Sequence, residues 1–312
     1  MTISDRRGLG LFDFQVNGFG GVDFQGDDLT LEQLQRAVSA LLRHGTQRIF
    51  ATLITDHVDR LEARFRRFEQ WCAADPNVAS VIVGYHLEGP WLSPVPGFSG
   101  AHPSERMHAP NAGEFRRLQE AASGRIRLVT LAPEWPGSPE FIADLVASGV
   151  HVALGHTNAS EHEIDAAIQA GARFCTHLGN GTPLQLERHD NIIQRLLARD
   201  ELVACFIPDG IHLPPFVLRN LVRAKPPGKV LFTTDAMAGA GMPPGTYTIG
   251  AHRVDVGEDG VARQPSGGGF AGSTLTPDEG VGRIGRYLGY TPEEAVRLWS
   301  DEPMRAFGVA AR

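Results

Sequence analysis

Four residues of this 312-residue chain could together carry out metal-assisted hydrolysis, and each lies at or just after the end of an apolar run. Zinc in hydrolytic sites takes about three protein ligands from His, Glu and Asp and leaves one position to water, whose pKa falls to roughly 7. Glu88, His156 and His177 would supply such a ligand set. Asp235 could then accept a proton from the water and deliver it to a leaving amine.

Each of these residues also has an ordinary structural interpretation. A histidine at a strand end is more often a hydrogen-bonded rim residue than a ligand, and a lone Glu or Asp there often caps the following helix. The metal hypothesis depends on the coincidence of one acid, two imidazoles and a final Asp on different strands. His86 precedes Glu88 by two residues and points the same way in a regular strand. It is expected to be a buried, hydrogen-bonded neighbour of the site, or else to orient a ligand.

Eight apolar runs of strand length would position these residues, and they alternate with segments of helical periodicity. The runs are LGLFDFQV, TQRIFATLI, SVIVGYHL, RIRLVTLA, GVHVALGH, ARFCTHL, ELVACFI and KVLFTTD. Intervening segments such as LTLEQLQRAVSALLRHG and EHEIDAAIQAG are amphipathic and end in glycine, as helices often do. A strand followed by a helix eight times predicts an α/β fold, the (β/α)8 TIM barrel, with catalytic groups at the carboxyl ends of the strands.

Other polar residues follow the predicted strands and would share that rim. They are Gln15, Asn17, Glu134, Asp209 and His212. The chain is expected to form one domain over residues 1–312, with a β-rich excursion at about 245–272 and closing helices at about 276–308. Thr291 and Glu294 have the spacing of a capping box at the start of the last predicted helix.

Composition excludes several classes of protein. The formal net charge of −7 argues against a nucleic-acid partner. Three cysteines, far apart and without CxxC spacing, predict neither a disulfide framework nor a thiolate zinc site. Because no apolar run has the length of a signal peptide or a membrane span, a cytoplasmic protein without a membrane partner is expected.

Seven short motifs occur in order along nearly the whole chain: HLEGPWL, LAPE, LGHTNAS, THLGNG, DGIH, TTDAMAG and FAGSTLT. With these motifs the chain resembles the N-acetylglucosamine-6-phosphate deacetylase family of the amidohydrolase superfamily. The resemblance implies a barrel of the metal-dependent amidohydrolase type. Typical relatives carry extra strands that build a small β-sandwich, and this sandwich is expected to be reduced or absent here.

The resemblance also implies catalytic roles. Glu88, His156 and His177 match the positions that bind the catalytic divalent metal. Asp235 matches the general acid and base. His102, in GFSGAHP, matches a histidine that hydrogen-bonds the scissile acetyl carbonyl, a role that stabilises the developing oxyanion.

Substrate phosphate is expected to bind after the sixth strand. By resemblance, Asn180 and Gly181 offer backbone N–H groups to phosphate, Arg188 is a phosphate-binding arginine and His212 is a second phosphate contact. A guanidinium fork suits phosphate, although from the sequence alone Arg188 would be interpreted as an exposed salt-bridging residue. In relatives the last two residues reach into the neighbouring subunit, which implies a homodimer.

The first strand bears on the number of metal ions. Gln15 and Asn17 occupy the places where many superfamily members carry His-x-His. Neutral amides are poor ligands for zinc or iron, so one divalent ion is expected, zinc in the first place and iron or another divalent ion as alternatives. The two amides are expected to hydrogen-bond substrate or water.

Together these features predict a hydrolase that converts N-acetylglucosamine 6-phosphate to glucosamine 6-phosphate and acetate. One alternative is an amidohydrolase that acts on another N-acylated sugar phosphate or on a cyclic amide. A second is a barrel that binds amino sugar phosphates without turnover. Asp235 disfavours the second alternative, because a pure binding protein has no need of a base beside a metal site.

Overall fold

A computed structural model of the chain describes residues 8–263 and 269–310. Residues 264–268 of the predicted β-rich excursion lie outside the described residues, as do both ends of the predicted domain 1–312.

Eight parallel strands form one sheet in which each strand pairs with the next barrel strand along the chain. They are β1 (Leu11–Val16), β4 (Thr46–Ile54), β5 (Ile82–Glu88), β6 (Ile126–Leu131), β7 (His151–Leu154), β8 (Phe174–Cys175), β9 (Val203–Phe206) and β10 (Val230–Phe232). Between the first two lies an antiparallel pair, β2 (Gly18–Phe19) and β3 (Val22–Asp23). The predicted eight-stranded parallel barrel is confirmed.

The barrel closes between β1 and β10 through side chains and a short bridge. The buried Asp13 carboxylate accepts hydrogen bonds from the hydroxyls of Thr233, at 2.5 Å, and Thr234, at 2.6 Å. The backbone N–H of Asn17 donates to the carbonyl of Ala236 at 2.7 Å. This seam holds the carboxyl end of β10, where the chain turns toward the predicted site.

Helices cover the outside of the barrel. They are α1 (Leu31–Arg43), α2 (Val58–Ala74), α3 (Pro76–Val81), α4 (Ala112–Ala121), α5 (Ser138–Ala147), α6 (Glu161–Ala170), α7 (Ile192–Leu197) and α8 (Pro215–Ala224), followed by α9 (Pro277–Leu288), α10 (Pro292–Trp299) and α11 (Asp301–Ala306). Capping boxes begin α1 at Thr30, α6 at Ser160 and α10 at Thr291, and the last of these confirms the prediction. None of the described helices is both long and apolar enough to cross a membrane.

A small antiparallel sheet follows β10. It consists of β11 (Gly245–Ile249), β12 (His252–Val256) and β13 (Ala262–Arg263). Ile249 and Val254 pack against Ile54, the last residue of β4, and against Met237 beyond β10, so the sheet lies on the carboxyl rim of the barrel. Within residues 8–263 and 269–310 there is no β-sandwich in addition to these strands.

The opposite end of the barrel is closed by aromatic side chains. Phe307, just after α11, is 2% exposed and contacts five rings at centroid distances of 4.7 to 6.3 Å. The contacted rings are Phe12, Phe14, Phe50, His151 and Phe174. The residue that follows the last described helix therefore plugs the amino end of the barrel and leaves the carboxyl rim for chemistry.

Candidate metal centre

The predicted ligands and base meet at the carboxyl rim. Glu88 is the last residue of β5, His156 and His177 follow the ends of β7 and β8 by two residues, and Asp235 follows β10 by three. All four side chains are buried. Their convergence follows from the barrel, because the carboxyl ends of all its parallel strands face the same side.

Backbone strain is concentrated at the same residues. Four non-glycine residues in the described ranges have positive φ, and three of them are His156 (52°), His177 (28°) and Asp235 (52°). This conformation costs of the order of 1–3 kcal/mol for a residue with a side chain. The strain therefore lies where the functional side chains are held.

Three ligand atoms face one another at the spacing that tetrahedral coordination of a metal ion requires. Nε2 of His177 lies 3.1 Å from Nε2 of His156 and 3.2 Å from Oε1 of Glu88, and Nε2 of His156 lies 3.4 Å from the same oxygen. Ligands about 2.0–2.1 Å from a tetrahedral centre are about 3.3 Å apart. Glu88, His156 and His177 are also the only group of three or more candidate metal ligands found in the described part of the chain.

The His156 ring is oriented by its surroundings. Its Nδ1 lies 2.8 Å from the carbonyl oxygen of Phe98, an acceptor, so Nδ1 carries the proton and the Nε2 lone pair faces the centre. Gly100 and Gly181 press on the ring from two loops, and a Cβ added at either would lie 2.9 Å from it. By contrast, Nδ1 of His177 is buried and has no hydrogen-bond partner among the described residues.

Gln15 and Asn17 contact the site's two carboxylates. Nε2 of Gln15 donates to both oxygens of Glu88, at 3.2 Å each. Nδ2 of Asn17 donates to Oδ1 of Asp235 at 2.6 Å, while its own Oδ1 is buried without a partner in the described residues. The amides thus hold the acids in place, and their predicted contacts with substrate or water stay a prediction.

The two carboxylates have opposite pKa shifts. Burial, followed by repulsion from Glu88, raises the pKa of Asp235 to about 8. Burial alone would also raise the pKa of Glu88, but the His156 and His177 rings that face its carboxylate bring that pKa well below its usual range. A divalent cation between these groups would oppose both causes at Asp235 and favour its ionised form.

His102 lies beside the ligand set on the loop between β5 and α4. Its Nε2 is 3.9 Å from Oε2 of Glu88, and its ring contacts the His156 ring edge-on at 4.5 Å. Burial lowers the pKa of His102 to about 3, so the ring is neutral. Strand-end reasoning missed this residue because it is supplied by a loop, and the GFSGAHP motif was the signal that found it.

His86 lies deeper inside the barrel. Its Nε2 is 2.8 Å from the hydroxyl of Thr130, and its Nδ1 is 3.4 Å from the hydroxyl of Thr52. Burial lowers its pKa to about 4. The residue is therefore a buried, hydrogen-bonded neighbour of the site, the first of its two predicted roles, and both ring nitrogens face threonine hydroxyls.

The predicted phosphate residues follow two neighbouring strands, β8 and β9. Asn180 donates its backbone N–H to the carbonyl of His177 at 3.0 Å, and its contact with phosphate stays a prediction. The N–H of Gly181 has no such partner among the described residues. Arg188 is exposed and makes no ion pair within that part of the chain. Nδ1 of His212 lies 2.6 Å from the Asp209 carboxylate.

Glu134, another of the rim residues, holds the loop after His156. Its carboxylate accepts a hydrogen bond from the hydroxyl of Thr157 and another from the backbone N–H of Asn158, at 3.0 Å. It thus supports the position of His156 and does not join the three ligands.

Comparisons with known proteins agree with this geometry. Residues 10–223 match the model of the Amidohydrolase family. The chain is similar to the N-acetylglucosamine-6-phosphate deacetylase of Bacillus subtilis (strain 168), with 30% identity over 97% of this chain and 76% of the relative. It is also similar to the N-acetylgalactosamine-6-phosphate deacetylase of Escherichia coli O157:H7, with 33% identity over 95% of this chain and 77% of the relative.

A solved structure has the same architecture. It is a mutant of the N-acetyl-D-glucosamine-6-phosphate deacetylase from Mycobacterium smegmatis in complex with N-acetyl-D-glucosamine-6-phosphate. The TM-score is 0.86 and the identity 33%, covering 97% of this chain and 78% of the other. The enzyme of the same name from Pasteurella multocida gives a TM-score of 0.85 at 29% identity, with coverage of 96% and 76%.

Proposed function

The chain belongs to the amidohydrolase family, and from that membership we propose that it hydrolyses the acetamido group of N-acetylglucosamine 6-phosphate to glucosamine 6-phosphate and acetate. The observation that carries the proposal is the 3.1 to 3.4 Å spacing of three ligand atoms next to a buried Asp. Relatives named for this deacetylation are similar over 97% of the chain, and a solved one holds the substrate.

Glu88, His156 and His177 would hold a single divalent ion, and zinc fits best because two imidazoles and one carboxylate give a tetrahedral set with one open position. When bound, such an ion polarises an amide carbonyl and lowers the pKa of a coordinated water to roughly 7. Gln15 and Asn17 support the assignment of one ion, because their amides are engaged with Glu88 and Asp235.

Asp235 would move the proton. Its Oδ1 is held by Asn17, so the carboxylate is fixed beside the ligand set. As a base it would take a proton from the attacking water, and as an acid it would return that proton to the departing amine. His102 would donate a hydrogen bond from Nε2 to the acyl oxygen, where negative charge develops.

Phosphate would bind at the edge of the same rim. The Gly181 N–H, the exposed Arg188 guanidinium and the His212 ring supply donors for it. Because Arg188 has no partner among the described residues, its guanidinium is available to a phosphate group of its own site or of a second copy. We include a homodimer, in which Arg188 and His212 serve the neighbouring site, in the proposal.

A cytoplasmic location is also part of the proposal. Cys72, Cys175 and Cys205 are all free and buried. Free thiols suit a reducing compartment, where disulfides rarely persist.

The main test measures acetate release from N-acetylglucosamine 6-phosphate by the metal-loaded protein. Asp235→Asn is expected to lower kcat by about 10²- to 10⁴-fold, because it removes the proton-transfer group and keeps the shape. Asp255→Asn on the exposed small sheet serves as a matched control and should retain the wild-type rate. Equal rates for Asp235→Asn and the wild type would rule out the proposed role.

Hydrolysis of N-acetylgalactosamine 6-phosphate is a specific alternative. It is motivated by the 33% identity to a deacetylase named for that sugar, which equals the identity to the Mycobacterium smegmatis enzyme. Comparing kcat/KM for the two N-acetylhexosamine 6-phosphates decides between them. Arg188→Ala is expected to raise KM for either phosphorylated sugar by about tenfold or more, with Arg188→Lys in between, because a charge-assisted hydrogen bond contributes about 1.5–3 kcal/mol. An unchanged KM for both sugars would favour an unphosphorylated substrate such as a cyclic amide.

A further inference from the structure

The corner after β4 lies against His102, although no predicted site residue comes from this strand. Thr55 and Asp56 follow β4 and are 2% and 5% exposed. Both contact the loop that carries His102. The hydroxyl of Thr55 lies 2.9 Å from Nδ1 of His102, and the carboxylate of Asp56 pairs with the guanidinium of Arg106.

The Thr55 hydroxyl has one proton and two possible acceptors. Nδ1 of His102 is at 2.9 Å, whereas the backbone carbonyl oxygen of Glu88 is at 3.4 Å. If Nδ1 carried a proton, the hydroxyl would accept there and its own proton would be left with only the long 3.4 Å contact, so the distances favour donation from the hydroxyl to Nδ1. A neutral imidazole that accepts at Nδ1 carries its own proton on Nε2.

Charge on the other side of the ring favours the same tautomer. Nε2 of His102 points toward the Glu88 carboxylate, with 3.9 Å between Nε2 and Oε2. A lone pair on Nε2 would face negative charge, while an N–H is attracted to it. The hydroxyl on one side and the carboxylate on the other therefore select one arrangement of the ring.

The chain makes room for the hydroxyl. A Cβ on Gly89 would lie 2.1 Å from Oγ1 of Thr55, and Gly89 has φ of +85°. Only glycine fits there. The loop itself is fastened at Arg106, whose partner Asp56 also pairs with the buried Arg64 at 2.8 Å. Thr55 thus occupies a fixed place between the metal-ligand strand and the His102 loop.

We propose that Thr55 is a positioning residue that holds His102 as the Nε2–H tautomer, so that this ring presents a hydrogen-bond donor to the acyl oxygen of the substrate. The donor role of His102 rests on the proposed function. The tautomer and its dependence on the Thr55 hydroxyl do not, because they can be observed without turnover.

The test uses the metal-loaded protein with ¹⁵N-labelled histidine and long-range ¹H–¹⁵N correlation spectra. The His102 signals are assigned by their loss in His102→Gln. The wild type is expected to show His102 protonated at Nε2 and bare at Nδ1. Thr55→Val, which keeps the shape and removes the hydroxyl, should populate the Nδ1–H form, whereas Thr55→Ser should retain the wild-type pattern.

Kinetics give a second readout. Thr55→Val is expected to lower kcat about 10- to 100-fold, with KM and bound metal within about twofold of the wild type, and Thr55→Ser should restore most of the rate. His102 found as the Nδ1–H form in the wild type, or unchanged in Thr55→Val, overturns the proposal. Absence of acetate release by the wild type would instead overturn the proposed function and leave the tautomer result standing.

Discussion

The two ends of the barrel are built from the same strands but carry different chemistry. At the amino end, Phe307 closes the barrel among aromatic rings, with the nearest ring centroid at 4.7 Å. At the carboxyl end, carboxylates and imidazoles meet at hydrogen-bond distance. The difference shows that burial serves packing at one end and holds charged ligands close together at the other.

The strand β7 shows this contrast within six residues. His151 begins the strand and packs edge-on against Phe174 and Phe307. His156, just past its end, points a ring nitrogen at the Glu88 carboxylate. One residue type thus serves as an aromatic packing group at one end of the strand and as a candidate ligand at the other.

The largest effect is expected at the carboxyl end. Glu88→Gln removes the only charged ligand of the candidate metal centre, so activity should fall by about 10³-fold or more as the ion's several kcal/mol of stabilisation are lost. Metal per chain, by elemental analysis, should fall with it. The free energy of unfolding of the metal-free variant should lie within about 1 kcal/mol of that of the metal-free wild type, because the packed core lies elsewhere. Full metal content in the variant would contradict the ligand assignment.

The next effect is expected at the amino end. Phe307→Ala should lower the free energy of unfolding by about 3–5 kcal/mol, measured by urea denaturation, because it empties the centre of the aromatic plug. Phe307→Leu, which keeps most of the volume, should lower it by less than about 1.5 kcal/mol. In both variants the folded protein should keep its metal and its kcat. Loss of metal at unchanged stability would mean that the two ends are not separate in function.

The smallest effect concerns His151. Burial lowers its pKa, so the folded protein binds a proton there less tightly than the unfolded chain does. The free energy of unfolding should therefore fall as the pH drops below about 6.5, the ordinary value for histidine. His151→Gln should weaken this dependence, whereas the matched variant His162→Gln, at an exposed position of α6, should keep it. Parallel curves for His151→Gln and the wild type would show that burial of the ring has no energetic consequence.

Sequence patterns predicted the barrel and the residues at its strand ends. Strand and helix periods are local signals, and barrel topology then places strand ends together, so Glu88, His156 and His177 could be identified before any coordinates. Side-chain contacts between distant parts of the chain had no such signal. Gln15 and Asn17 donate to acids 73 and 218 positions away, and their expected contacts with substrate or water stay a prediction.

Two other features could not be predicted for the same physical reason. In the sequence, nothing distinguishes Thr55 from any other threonine after a strand. Its role depends on the contact with the His102 loop. The Asn180 N–H closes a local turn onto the His177 carbonyl, a contact that its motif did not indicate. In both cases the outcome depends on how one loop lies against another, which neither periodicity nor strand order determines.

The two glycines that flank His156 have a consequence for how the protein can vary. Gly100 comes from the loop that carries His102, and Gly181 from the loop proposed to bind phosphate. Since both backbones contact one imidazole, neither loop can move toward the ring unless the ring moves toward the other loop. A longer or bulkier version of either loop can be accommodated only if the other yields, so variants with altered substrate range should carry paired changes on the two sides of that ring.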